Sequence, residues 1–562
     1  MASIFGIRAW WVVTIAIVMA LPIIVILGFV LQPFNENWQH LLDNLLLEYI
    51  SNSLLLMVGV SVGVLSMGIV SAWLTASCEF PGRVILSWLL LLPLSIPAYI
   101  IAYTYTGLLD FSGPVQGQLR AWFDWGYGDY WFPEVRSLTG AICMLSLVLY
   151  PYVYMMTRAA FLEQSVSVLE ASRTLGHSPL KGFFSVAIPL ARPAIITGVS
   201  LALMETLADY GTVQYFGIST FTTGIFRAWY GLDDSVTAAQ LASVLLTFVV
   251  VLILLERYSR REAKFHSVTS KQAGVLRFQL TGWKAFFAAL ACSLPVIFGF
   301  FIPAAQLLYW TIATAGQSLN SDFFGLAANS LLLAILAAFV AVFLALILGY
   351  AKRLLATPLV SAAVTISSMG YAIPGTIIAI GVMLPFAWFD TVLDQWLRST
   401  FNLSSGLLLS GSLFALIFAY TVRFLSVSIQ AVDAGLSKIK PSMDDAGRSL
   451  GLSPFGVLKQ IHFPLMRGTI LTALLLVFVD VLKELPATLI LRPFNFNTLA
   501  VRAYEMASDE RLADAGAPAL MIVLVGIIPI ILLSRSIAHS HIKSNNNHKR
   551  FGISLRKREA TR

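Results

Sequence analysis

Asn52-Ser53-Leu54-Leu55-Leu56 and Asn329-Ser330-Leu331-Leu332-Leu333 are one phrase written twice, 277 positions apart (329 against 52), in a chain of 562 residues. Ser95-Ile96-Pro97 and Ala372-Ile373-Pro374 keep that offset. Farther on, Arg173-Thr174-Leu175-Gly176 pairs with Arg448-Ser449-Leu450-Gly451, Ser178-Pro179 with Ser453-Pro454, and Pro189 with Pro464. Thr223, Arg227 and Ala228 pair with Thr498, Arg502 and Ala503, and the offset across this stretch is 275 (451 against 176). Chance does not hold a register over so many residues, so the chain is an internal duplication.

Working outward, 58% of the residues are hydrophobic, 12% are charged, and the mean hydropathy is +0.80. A soluble domain carries about 25% charged residues. So few polar groups cannot cover so much apolar surface in water, which excludes a soluble enzyme, a disordered chain and a nucleic-acid-binding domain. The class expected is an all-α, polytopic membrane protein. Windows of about 20 residues give about twelve transmembrane helices, near 9–31, 53–77, 85–108, 137–158, 193–216, 238–256, 284–310, 329–351, 359–385, 405–427, 468–490 and 517–535. The first stretch reads as an uncleaved span, because no small-x-small cleavage site in a polar context follows it.

Six spans per half give both repeats one orientation, related by an axis along the membrane normal, with a pathway expected between them. The expected division is 1–256, a linker 257–283, a second half 284–536, and a basic tail 537–562. Lys and Arg total 37 against 29 acids, a net charge of +8. They collect in the linker, after the eighth span at Lys352 and Arg353, and in the tail. The positive-inside rule makes that side cytoplasmic, with both termini inside, and accounts for the charge without nucleic acid. The cysteines Cys78, Cys143 and Cys292 form no CxxC pair.

Two loops on the cytoplasmic side share a pattern. One runs Leu169-Glu170-Ala171-Ser172-Arg173-Thr174-Leu175-Gly176 and the other Asp444-Asp445-Ala446-Gly447-Arg448-Ser449-Leu450-Gly451. Each reads as a short helix, a break and a second short helix. Gly176 and Gly451 permit the left-handed residue that ends a helix. Ser178 and Ser453 can cap the next one, with Pro179 and Pro454 at its first position. Small residues beside the break suit a knob for a partner protein. A plain interfacial amphipathic helix is the alternative, weakened by the second copy in register.

Acids inside spans are costly and default to function. Glu205 and Asp209 stand four apart, as do Asp480 and Glu484 at the matching positions, so each pair is expected on one helix face. Two such faces suit a path or gate for a hard, oxygen-preferring cation. A structural pairing is the alternative, with Lys483 set to neutralise Asp480 and Arg227 or Arg502 reaching the others. The seven histidines are read as loop or tail residues, so a histidine relay through the bilayer is unsupported.

The paired loops resemble the EAA motif of ATP-binding-cassette (ABC) importer permeases: Glu-Ala-Ala, three residues, Gly, nine residues, then Ile-x-Leu-Pro. The spacing holds in both copies, with Ser172, Val186 and Ile188 departing in the first, and Asp445, Gly447 and Phe463 in the second. Met204–Gly217 with Phe221–Ile225, and Asp480–Thr488 with Phe496–Arg502, resemble the fused permeases of ferric-iron importers. The similarity covers nearly the whole chain, with thiamine, sulfate and polyamine permeases as relatives. The resemblance implies the type I importer fold, with two tandem six-helix halves in the inner membrane. It further implies that Glu170, Ala171, Gly176, Asp445, Ala446 and Gly451 couple to two copies of an ATPase subunit. The chain has no GxxxxGK[ST] run, so it is expected to bind no ATP, to hold no cofactor or stable metal, and not to be an enzyme. Cargo capture is expected to belong to a periplasmic binding protein. The competing reading is a gradient-driven secondary transporter of twelve spans.

Overall fold

The structure, a computed structural model, describes residues 2–126, 128–163, 179–261 and 277–531. Nearly all of it is helix. One two-residue parallel ladder pairs Cys78–Glu79 with Phe278–Gln279 and ties the end of the linker to the first half. Among the described residues, ten helices are long and apolar enough to cross a membrane, or eleven if a bent pair counts as one span. The expected twelfth appears as the shorter apolar helix Gly516–Ile531. Side chains such as Ile17, Val62, Phe287 and Phe339 point outward, as lipid contact requires.

The difference from twelve uninterrupted spans has a local cause. The expected spans 85–108 and 359–385 both break at the repeated Ile-Pro pair. Arg83–Ser95 and Ala98–Phe123 meet at 93°. In the second half Pro358–Ser367 gives way to a 3₁₀ turn at Gly370–Ala372 before Gly375–Phe401 begins. A residue before proline is pushed out of the helical region. Ile96 (ψ 117°) and Ile373 (ψ 129°) are accordingly extended. Prolines leave a second mark. π-helical turns at Phe183–Ala187, Ile297–Phe301 and Leu458–His462 each precede a proline (Pro189, Pro303, Pro464) by two residues. Proline lacks an N–H and crowds the carbonyl four residues back, so the helix widens there.

Small residues set the tightest crossings. Leu46–Ser77 packs along Leu138–Glu163, and a Cβ on Gly68 would lie 2.7 Å from the Val153 Cβ. The equivalent crossing of Ser321–Leu355 with Leu413–Ser437 buries Ala334, Ala338, Ala341 and Ala345. Without a hydrophobic drive between helices in lipid, such close backbone approach supplies the attraction.

The halves exchange their first helices. Ala2–Phe29 packs against Pro358–Ser367 and Gly375–Phe401 of the second half. Trp283–Val296 and the turn after it pack against Leu46–Ser77, Arg83–Leu89 and Leu138–Glu163 of the first. Each of the two buried apolar clusters therefore draws on both repeats.

Candidate functional site

Four backbone breaks, two from each repeat, converge at one place between the halves. They are the Ser95-Ile96-Pro97 corner, the gap after Ala208, the Gly370–Pro374 turn, and the gap after Leu482. Irregular backbone at membrane depth is tolerated only where protein buries it or a cavity takes it up. Here a cavity of about 110 Å³ lies among the breaks. Glu205, Asp209, Asp480 and Glu484 all line it, with Tyr99, Tyr152, Tyr371, Arg423 and Lys483.

The expectation that each acid pair shares a helix face is corrected. The first helix ends at Ala208, and Asp209 is extended (ψ 129°). Its Oδ1 accepts from the Thr212 N–H (3.0 Å) and the Val213 N–H (3.2 Å), and its Oδ2 from the Thr212 hydroxyl (2.9 Å). It thereby caps the short helix Gly211–Tyr215, which is what an Asp preceding a new helix does. In the second half the helix ends at Leu482, where Pro486 has no N–H to give the carbonyl four residues back and instead opens a new helix at its first position. Glu484 then accepts from the Ala487 N–H (3.3 Å).

The bases are partly as expected. Lys483 pairs with Asp480 at 2.8 Å. Arg227 and Arg502 do not reach the acids: Arg227 donates to the Tyr49 hydroxyl, and Arg502 lies against Glu505. Glu484 is paired instead by Arg423, at 3.1 Å, both side chains only 7% exposed. Sequence reasoning missed Arg423, although a lone arginine in an apolar window (405–427) was the available signal. Glu205 makes no side-chain hydrogen bond or ion pair among the described residues. No group of three or more His, Cys, Asp or Glu side chains among them is placed to hold a metal ion.

The second patterned loop lies at the far end of the helices from the cavity. The first copy, with Glu170, Ala171 and Gly176, falls outside the described residues. The second folds as Pro441–Ser449, a break, and Pro454–Val457. Gly451 is left-handed (φ +83°), its N–H donates to the Arg448 carbonyl, and the Leu452 N–H donates to the Gly447 carbonyl. Those two bonds are the Schellman closure that a C-terminal glycine permits. Ser453 accepts from the Gly456 N–H with Pro454 at the first helical position. Asp445, Leu450 and Phe455 are exposed.

Asp444, beside the residue aligned with the motif acid, is the buried one. It takes two bonds from Arg353 (2.8 and 3.2 Å) and one contact from His462 Nε2 (2.7 Å). Burial pushes its carboxyl up, but Arg353 and His462 outweigh this and hold it below the usual carboxylate range. Arg353 also donates to the carbonyls of Leu436 and Ile439. One guanidinium thus fastens three helix ends together. His462, read as a loop residue, is helical and completely buried.

The chain is similar to known transport proteins. Residues 64–264 match the family described as binding-protein-dependent transport system inner membrane component. A Fe(3+)-transport system permease protein of Haemophilus influenzae is 28% identical over 94% of this chain and 98% of its own. A ferric transport system permease of Actinobacillus pleuropneumoniae is 23% identical over 86% of this chain and 70% of its own. A molybdenum transport system permease of Escherichia coli is 28% identical over 35% of this chain and 86% of its own.

Proposed function

We propose that this chain, residues 64–264 of which match the family of binding-protein-dependent transport system inner membrane components, forms both halves of the pore of an ABC importer that passes ferric iron into the cell. The observation that carries this is the cavity between the repeats, where four intramembrane acids meet at four broken helices. Permeases named for ferric transport align along most of the chain, whereas one named for molybdenum covers about a third of it.

The geometry supports the following working cycle. Both termini and the basic linker lie on the cytoplasmic side, so the helix pair Pro441–Val457 projects there with Leu450 and Phe455 exposed. Two ATPase subunits grip that knob, around Asp445, Ala446 and Gly451, and its counterpart at Glu170, Ala171 and Gly176. A periplasmic binding protein delivers cargo at the opposite face. Closure of the ATPases draws the knobs together and reorients the halves about the cavity, which opens to one side at a time. Arg353, through Asp444, transmits a pull on the knob to the ends of Ser321–Leu355 and Leu413–Ser437. Glu205, Asp209, Asp480 and Glu484 line the path or its gate. We divide the chain as 1–256, 257–283, 284–536 and 537–562, halves that function as one unit because their first helices are exchanged.

The test is uptake of radiolabelled ferric iron into vesicles holding the permease, its ATPase and its binding protein, with thiamine and sulfate as competitors. Uptake that needs ATP and both partners is the expected result. Uptake driven by a proton gradient with no ATPase present would make the chain a secondary transporter instead.

A further inference from the structure

The duplication is symmetric in its acids and asymmetric in the bases beside them. Glu205 matches Asp480, and Asp209 matches Glu484. In the same register Lys483 falls opposite Ala208, and Arg423 opposite Val148, and all four of these line the cavity. The second half therefore closes its own charges, Arg423 on Glu484 and Lys483 on Asp480. In the first half Asp209 spends its carboxylate on the N–H groups and hydroxyl that it caps. Glu205 makes no ion pair among the described residues and caps no helix; Arg423 and Lys483 act on it only from a distance.

An independent observation points into the same space. The Tyr99 hydroxyl, on a side chain only 5% exposed, lines the cavity and makes no hydrogen bond. Buried hydroxyls are seldom left unpaired. Tyr99 lies within electrostatic reach of Asp209 and Glu484, one acid from each repeat. Tyr152 and Tyr371, from opposite repeats, lie within reach of Glu205. The groups left to a visitor are carboxylate and phenol oxygens, which suit a hard cation.

We propose that the two repeats have divided the work: Glu205 of the first, with the tyrosine oxygens around it, contacts the passing cation, while Asp480 and Glu484 of the second are latched by their own bases and hold the cavity together. This rests on the cation-importer reading above. A cation reaching Asp480 or Glu484 must displace an ion pair; at Glu205 it breaks none, because the bases within reach are held by the other two acids. One free carboxylate with neutral oxygens is a contact that releases, not a chelate that traps.

The reconstituted importer tests this by charge removal and rescue, read as ferric-iron uptake and as ATP hydrolysis stimulated by the binding protein. Glu205→Gln is expected to lower uptake by about tenfold or more with stimulated hydrolysis within about twofold, and Glu205→Asp to recover part of it. Asp480→Asn frees Lys483 to pair with Glu205, so it too lowers uptake. Adding Lys483→Met to Asp480→Asn should restore most of that loss, whereas adding it to Glu205→Gln should restore none. Glu205→Gln uptake within about twofold of the unaltered importer overturns the proposal. So does a double variant, Asp480→Asn with Lys483→Met, as impaired as Glu205→Gln. Should Glu205→Gln fail to assemble with the ATPase, Glu205→Asp and the Lys483 rescue decide. An unaltered importer that carries sulfate or molybdate and no iron is a separate failure, that of the cargo assignment.

Discussion

Gly451 offers a measurement of how firmly the cytoplasmic knob must be shaped. Its φ of +83° lies in the left-handed region, and a Cβ built there meets nothing within 4 Å. A substitution is therefore charged for backbone conformation alone, with no packing clash to confuse it. A non-glycine residue in this region costs roughly 1–2 kcal/mol. Asn tolerates the region best, and a β-branched residue worst. The knob is exposed, so the cost falls on the local closure made by the Gly451 and Leu452 N–H groups and leaves the packed bundle intact. An energy of one or two kcal/mol is a factor of about 5–30 in the population of the closed helix end. Iron uptake in vesicles should accordingly fall in the order Asn, Ala, Val, with Gly451→Ala down by about that factor and the thermal midpoint of the solubilised chain almost unmoved. Two results would refute the reasoning. Gly451→Val transporting normally would mean that the closure is not needed. Gly451→Asn failing as badly as Val would mean that bulk at a docked surface, not backbone strain, sets the requirement.

Three further outcomes are expected. Arg423→Met leaves Glu484 buried without its partner and should cost about 3–5 kcal/mol in thermal unfolding, most of it recovered when Glu484→Gln is added; equal loss in single and double variants would show that the pair itself contributes little. Gly375→Ala places a methyl group against Arg423 Nη1 and Glu484 Oε1, and should destabilise by about 1–3 kcal/mol, as overpacking does, with uptake falling in parallel; an unchanged melting curve would contradict it. Asp444 is held below the ordinary carboxylate range, so its contribution is fully present above the unfolded-state value and is lost as the pH falls through the folded one. Acid titration of stability should therefore be shallower in Asp444→Asn than in the unaltered protein, and an identical slope would remove Asp444 from the account.

Periodicity and register are what the sequence makes legible. The repeated Asn-Ser, Ile-Pro and Gly-x-Ser-Pro phrases announce the duplication, and hydropathy places the helices. The Gly451 closure and the Ser453 cap follow from residue type alone, because capping is local chemistry. Two kinds of feature escape such a reading. The Ile96-Pro97 and Ile373-Pro374 breaks are hidden because a hydropathy window averages through a corner, although the proline is visible. The helix ends at Ala208 and Leu482 are hidden because four-residue spacing suggests a continuous face, against the capping power of Asp209 and the missing N–H of Pro486. The remainder needs three dimensions. Arg423 and Glu484 are 61 residues apart in the chain, and Asp444 meets Arg353 from 91 residues away. Neither pairing is written in a spacing.

The exchanged first helices bear on how the chain is made. Ala2–Phe29 leaves the ribosome first, yet the surface it packs on, Pro358–Phe401, follows after roughly three hundred residues more, tens of seconds at ordinary rates of synthesis. Through that interval its larger packing surface stays open to lipid, with Ser235–Arg261 of its own half as the neighbour that arrives earlier. The composition of Ala2–Phe29 suits such a wait, since it carries no acid and its only base, Arg8, stands near the start. Assembly is thus completed from the far end of the message, and a nascent chain stalled between the repeats would leave one helix inserted without its second-half neighbours.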